Sequence, residues 1–450
     1  MDYNCFLNKK LLNIKTTGFE PYQTHERLFK FQKDLVKWSI RRGKSAIWAG
    51  CGLGKTIMQI SWADQVSRHT GKPVLILAPL AVSKQTQNEG IKIDIPVYHY
   101  GSGHIQINNY EQLHNMDCSI FSGVVLDESS ILKNFSGKMR SQIINIFHRT
   151  QYKLCCSATP SPNDFTEIGN HAEFLNICSR SEMLATYFIH DSGETQKWRL
   201  KGHAEKAFFE WLSTWAVMIN KPSDLGYSDD GFILPDINYY QHTVKSKISN
   251  GSLFHDMAQT LDERRKARKE SINDRVKLAT DLSSGSDDPW LYWCDLNDES
   301  TMISRTVPGI VEITGSMSNE LKENRMFGFA AGDFKRLVIK PKMAQFGLNW
   351  QHCNNMVFVG LSDSFEAFYQ AVRRCWRFGQ KKPVNVHIII SEKEGNVIQN
   401  IKNKEDKAAK MQMQMIACMG DLSKTEINNS SKNTIEYKPL KKMELPIWML

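Results

Sequence analysis

A run of glycines ending in a lysine and a threonine, Ala49-Gly50-Cys51-Gly52-Leu53-Gly54-Lys55-Thr56, is the segment of this chain best suited to chemistry. Gly50, Gly52 and Gly54 let successive backbone N–H groups converge on one point, where they can hold phosphate oxygens. The stretch from Ile57 to Val66 reads as a helix, so its N-terminus adds positive potential at the same point. Lys55 would then reach the β- and γ-phosphates of a nucleotide, and the Thr56 hydroxyl would bind Mg²⁺. The alternative is a Gly-rich turn with a chance Lys-Thr. A second segment, Gly123-Val124-Val125-Leu126-Asp127-Glu128-Ser129-Ser130, supplies two adjacent carboxylates at the end of an apolar run. That placement suits Asp127 to the metal and Glu128 to orienting and deprotonating a water, which is hydrolytic chemistry rather than transfer to a metabolite.

Such residues need strands that bring them to one edge. Apolar runs at 45–48, 74–78, 105–107, 124–126 and 154–156 alternate with helical patterns, and the signature returns at 290–294, 309–313, 337–339, 356–359 and 384–390. Alternation of this kind predicts two parallel α/β layers in tandem, each covered by helices on both faces. The expected division is residues 1–235, with a helical extension after 160, then 236–395, then a helix and tail over 396–450. Residues 160–235 show no strand series, and Trp198, Trp211 and Trp215 with Phe208 and Phe209 read as core rather than as a base-stacking platform. The charged pattern over 257–282 reads as a solvated connecting helix, or as a nucleic-acid contact through Arg264, Arg265, Arg268 and Lys269. Residues 392–415 read as a polar helix, and 429–432 as a low-complexity patch.

With both motifs placed, the chain resembles superfamily 2 helicase-type ATPases of the DEAD/DEAH-box class, nearest to Swi/Snf-like translocases in the small form carried by phages and prophages. The resemblance runs from about residue 28 to 390. It implies two RecA-like domains that use ATP and Mg²⁺. Gln32 resembles the upstream glutamine that reads the adenine edge; a surface glutamine is the alternative. Ala78-Pro79-Leu80 and Asn109-Tyr110-Glu111 resemble strand-end motifs that touch a nucleic-acid backbone, implying contacts from Pro79 and Tyr110. Asp127-Glu128-Ser129-Ser130 running into Lys133-Asn134 is similar to the Swi/Snf variant, with Ser130 in place of the usual histidine. Ser157-Ala158-Thr159-Pro160 resembles the motif coupling hydrolysis to the second domain, implying roles for Ser157 and Thr159. The loop 345–350 resembles one that contacts nucleotide and backbone, implying a role for Gly347. The string from Gln370 to Gln380 (QAVRRCWRFGQ) resembles the arginine-finger motif. It implies catalytic roles for Gln370, Arg374 and Arg377, the arginines sharing one helical face. A solvated basic helix is the competing account.

Composition sets the outer limits. Hydrophobic residues at 41% and charged residues at 23% fit a packed globular chain, and 450 residues allow two or three domains. The longest apolar run, 74–82, is too short to span a bilayer, and no secretory signal is legible, so the cytoplasm of a bacterial host is the expected compartment. Ten scattered cysteines without a C-x-x-C pair read as free thiols rather than zinc ligands. The net charge of +9 permits a polyanionic partner, and nine basic residues against three acidic ones between 333 and 382 mark a phosphate-facing candidate that includes Lys340 and Lys342. The expected partner is DNA, duplex first, with phage replication, recombination or modification proteins as further partners. Strand separation on DNA or RNA and a slow ATP-gated DNA-loading factor stay open as alternatives. No wedge hairpin is legible in the sequence.

Overall fold

Each buried strand sends alternate side chains to two apolar layers, and this period of two builds both sheets. In the strand Lys44–Ala49, Ala46 and Trp48 enter one layer while Ile47 and Ala49 enter the other. In the second half, Leu291 and Trp293 enter one layer and Trp290 and Tyr292 the other. The structure, a computed structural model, describes residues 16–79, 82–133, 137–162, 164–191, 194–245, 261–343, 349–362, 364–392 and 395–427. Gly347 and most of its loop, Leu80, Asn134 and the patch 429–432 lie outside the described residues.

The first domain contains β1 (Lys44–Ala49), β2 (Val74–Ala78), β3 (Tyr98–His99), β4 (Ile105–Asn109), β5 (Gly123–Asp127), β6 (Tyr152–Ser157), β7 (Phe188–Asp191), β8 (Glu194–Leu200) and β9 (Ala216–Ile219). Seven of these form one sheet in the order β3-β4-β2-β5-β6-β1-β9, while β7 and β8 pair as an antiparallel hairpin. The second domain contains β10 (Ile237–Val244), β11 (Trp290–Trp293), β12 (Ile310–Glu312), β13 (Arg336–Ile339), β14 (Asn355–Phe358) and β15 (Val384–Ser391), in the order β10-β15-β14-β11-β13-β12. The pairings within both larger sheets are parallel. Two tandem parallel α/β domains are thus observed, as the alternating apolar runs predict.

Three expectations need correction. The stretch 160–235 is not strand-free: it holds the β7–β8 hairpin and β9. Only the turn at Thr214 and Trp215, with no glycine or proline, separates the helix Glu205–Ser213 from the apolar residues of β9, so periodicity alone does not part the strand from the helix. Trp211 and Trp215 are buried in the core, and Trp198 packs against it.

Nor is the charged segment 257–282 a single solvated helix. Its described part forms two helices, Leu261–Glu270 and Ile272–Ser283. Arg268 is buried and pairs with Asp295 at 2.6 Å, which takes it away from any nucleic-acid surface. Arg275 pairs with Glu299 at 2.7 Å with both side chains fully buried. Arg265 and Lys269 are exposed.

The C-terminal helix runs over Gly395–Ile427 and is amphipathic rather than polar. Met411, Met415 and Met419, four apart, are buried, and the latter two enter the core of the first domain. Ala408 enters the core of the second. No helix among the described residues is long and apolar enough to cross a membrane.

Candidate active site

In parallel sheets the carboxyl ends of the strands carry the site, because the loops that leave them are free to face a ligand. The glycine loop follows β1, Asp127 ends β5 and Ser157 ends β6. Since β6 lies between β1 and β5, Ser157 stands between the phosphate loop and the carboxylate pair. Gly52 and Gly54 have φ of 90° and 77°, a region that side chains disfavour. A Cβ on Gly54 would also lie 2.3 Å from Gln32 Nε2. The helix Lys55–Thr70 begins directly after this turn, so its unpaired N–H groups face the loop.

Lys55 Nζ donates to the carbonyls of Ala49 at 2.9 Å and Gly50 at 3.3 Å. Asp127 is buried, and its Oδ1 accepts from Gln59 Nε2 at 2.7 Å. Burial raises the Asp127 pKa, while the Gln59 bond and the charges of Lys55 and Arg374 pull it back. Glu128 adopts a left-handed backbone, with φ of 52°, a strained placement for a non-glycine residue. Burial also raises its pKa; Lys55 opposes the rise and Asp127 adds to it. Ser157 Oγ donates to Glu128 Oε2 at 3.5 Å and accepts from the Thr159 N–H at 3.0 Å. A serine thus links the carboxylate to the segment 157–159.

The second domain closes the cleft from above. The helix Phe365–Val372 carries Tyr369 and Gln370, and the turn beyond it carries Arg373, Arg374 and Arg377; all five line the cleft opposite Lys55, Thr56, Asp127 and Glu128. Its empty volume, open mouth included, is about 790 Å³. The shared helical face expected for Arg374 and Arg377 is not observed, because the helix stops at Val372 and both arginines sit on the following turn. That turn is tied down. Trp376 Nε1 donates to Pro235 O at 2.6 Å, the Trp350 N–H donates to Arg374 O at 2.8 Å, and buried Gln380 Nε2 donates to Cys353 O at 3.1 Å. Phe378 sits on the phosphate loop, where a Cβ on Gly52 would meet its backbone nitrogen at 2.8 Å.

Burial lowers the pKa of Arg374, and the charges of Glu128 and Asp127 partly restore it. Burial lowers that of Arg377 to about 10, so it still carries its charge at neutral pH. Arg374 Nε is buried and makes no hydrogen bond to the described protein atoms. A solvated basic helix is therefore excluded.

The remaining candidates fall on both sides of expectation. Gln32 is buried, accepting from the Phe29 N–H at 2.9 Å and donating to Leu53 O at 2.9 Å, so its amide braces the phosphate loop. Tyr110 is buried and donates to Asp127 O at 2.6 Å, which removes it from a nucleic-acid face and makes it a support for the carboxylates. Pro79 is half-buried after β2; Lys340 is half-buried and Lys342 exposed after β13. The basic stretch 333–382 is not one surface. Lys335 and Lys382 pair with Asp287 and Asp288 at the opposite ends of the strands. Gln59, Gln85, Tyr369 and Arg373 escaped the sequence reading. Gln59 had a signal, since four residues after Lys55 it shares a helical face with it.

The donor set fits Mg²⁺ brought with a polyphosphate. Thr56 and Asp127 offer the oxygen ligands this ion prefers, and among the described residues no group of three His, Cys, Asp or Glu could hold a metal alone.

The raised carboxylate pKa has a measurable sign. A base must be deprotonated to accept a proton, so turnover should fall with decreasing pH through the raised value, above the usual carboxylate range near ~4. The pH profile of kcat/KM should show this acidic limb displaced upward; a limb at the ordinary value would contradict the burial argument.

Residues 277–379 match the family model of the helicase conserved C-terminal domain. The matched segment begins within the helix Ile272–Ser283 and extends through the arginine turn. A Sulfolobus solfataricus SWI2/SNF2 ATPase core, solved in complex with dsDNA, is similar at 17% identity and a TM-score of 0.42, over 83% of this chain and 90% of that one. No curated protein sequence matches the chain.

Proposed function

We propose that the chain hydrolyses ATP to move along DNA, duplex DNA in the first place, in the DNA metabolism of a phage or prophage. The observation that carries the reading is a buried cleft with Lys55, Asp127 and Glu128 on one domain and Arg374 and Arg377 on the other, in which Arg374 Nε lacks a partner among the described protein atoms. A phosphate oxygen is the natural acceptor for a buried guanidinium N–H. The helicase-type match over 277–379 and the motif resemblances support the same reading.

In this mechanism the loop N–H groups and Lys55 hold the phosphates, and Glu128 takes the proton of the attacking water. Mg²⁺, bound through Thr56 and Asp127, would neutralise phosphate charge. Arg374 and Arg377 add positive charge only while the domains are closed, so bound ATP tightens a closed state that phosphate loss loosens. If each domain grips a different stretch of backbone, alternate closing and opening moves the chain along it.

Pro79, Lys340 and Lys342 are the proposed phosphate contacts, and contacts of this kind carry no sequence information. Binding should fall at least ~10-fold between 50 and 200 mM salt and vary little with sequence. ATPase assays with duplex DNA, single-stranded DNA and RNA, run in parallel at one salt concentration, test the function. Stimulation by none of the three would defeat the translocase reading. Strand separation is the second reading, and the β7–β8 hairpin is its candidate wedge, since a wedge requires such an element. An unwinding assay on a forked duplex decides between them.

A further inference from the structure

We propose that Lys133 and Glu366 form an interdomain latch that positions Gln370, Arg374 and Arg377 over the phosphate loop. The inference rests on the ATP-hydrolase reading and adds two positioning residues to it; neither lines the cleft. Lys133 Nζ and a carboxylate oxygen of Glu366 are in direct ionic contact.

Each partner is fixed to its own domain at a telling place. Lys133 ends the short helix Ser129–Lys133 that leaves the carboxylate pair. Buried Asn170 Nδ2 donates to the carbonyls of Leu132 at 2.8 Å and Lys133 at 3.2 Å, while Asn170 Oδ1 accepts from Arg140 Nε at 3.2 Å. The backbone of Lys133 is therefore pinned to the first domain's core.

Glu366 lies in the first turn of the helix Phe365–Val372, whose start is capped by Ser364 Oγ accepting from the Ala367 N–H at 3.3 Å. Gln370, four residues on, shares its helical face, and the arginine turn begins where this helix ends. Holding Glu366 therefore fixes the base of the element that delivers the arginines. Among the other contacts across the cleft, Gln85 Nε2 to Asn349 Oδ1 is a long neutral one at 3.5 Å. The Glu366 side chain is 15% exposed and that of Lys133 37%, so solvent screens the pair in part and the latch acts chiefly by fixing geometry.

Charge reversal and exchange test the latch in the full chain. Lys133→Glu and Glu366→Lys should each lower kcat at least ~5-fold with the KM for ATP within ~2-fold, because they disturb closure rather than nucleotide contacts. Small-angle X-ray scattering without nucleotide should show a larger radius of gyration for both. The exchange variant, Lys133→Glu with Glu366→Lys, should regain at least half of the parental kcat and the parental radius. Should a reversal fail to fold by circular dichroism, Lys133→Met and Glu366→Gln provide the same comparison with milder effects. Parental turnover and radius in the single variants, or an exchange variant no better than the worse single, would overturn the latch. A parent without ATPase activity would defeat the hydrolase reading instead, and the scattering data alone would then decide the latch.

Discussion

Lys55→Ala is expected to leave the fold intact and to lower ATP turnover by ~10²- to 10³-fold, the scale seen when one aimed donor to a developing charge is removed. Among the described residues its ammonium bonds two loop carbonyls, Ala49 and Gly50, which it can exchange for phosphate oxygens. Its loss also removes a positive charge that favours ionised Asp127 and Glu128, so the acidic limb of the residual activity should move to still higher pH. Circular dichroism, steady-state turnover and a pH profile check the three parts. Turnover above half of the parental value would sink the nucleotide-site assignment.

A larger loss is expected at the arginine turn. Arginines that complete a phosphoryl transition state are worth ~10³- to 10⁵-fold, so Arg374→Ala should lose at least ~10³-fold in kcat. Arg374→Lys and Arg377→Lys keep the charge but lose the planar fork, and each should lose at least ~10-fold with ATP affinity changed far less. The double lysine variant should cost little more than the worse single one, since both groups serve one closed state. Basal turnover without DNA is the deciding measurement; parental rates in both lysine variants would remove the proposed role.

Much of this architecture is legible in the residues because strand runs buried on both faces leave continuous apolar signatures. Each of the ten runs that predict strands in the two halves overlaps a strand, although 290–294, 309–313 and 356–359 overrun theirs by a residue at one end or both. The phosphate loop and carboxylate pair are legible for a related reason: local chemistry fixes their spacing. What escapes is set by distant partners. β10, with Tyr239, Tyr240, Gln241 and His242 in sequence, reads as polar because it is an edge strand of the second sheet. Tyr110 and Gln32 look like ligand contacts until their partners, Asp127 O and Leu53 O, are known. The Lys133–Glu366 contact joins residues that no periodicity relates.

The C-terminal helix changes what kind of machine the two domains can form. The chain crosses from first domain to second between β9 and β10, then returns, with Met415 and Met419 buried in the first domain and Gln412 Nε2 donating to Ala158 O at 3.1 Å. Two bodies joined by one tether can drift, twist and slide. Here the two connections lie side by side, the helix packing on the turn Pro222–Leu225 while Phe232, Leu234 and Tyr239 line one pocket with Glu405, Ala408 and Gln412, so the pair acts as one stiffened seam about which the domains can bend. While the helix stays seated, any opening of the cleft is confined to an arc about that seam. For the proposed translocase, reach along a polymer would be set by the distance from that seam to whatever the second domain grips, which makes step length a geometric property of where the helix docks.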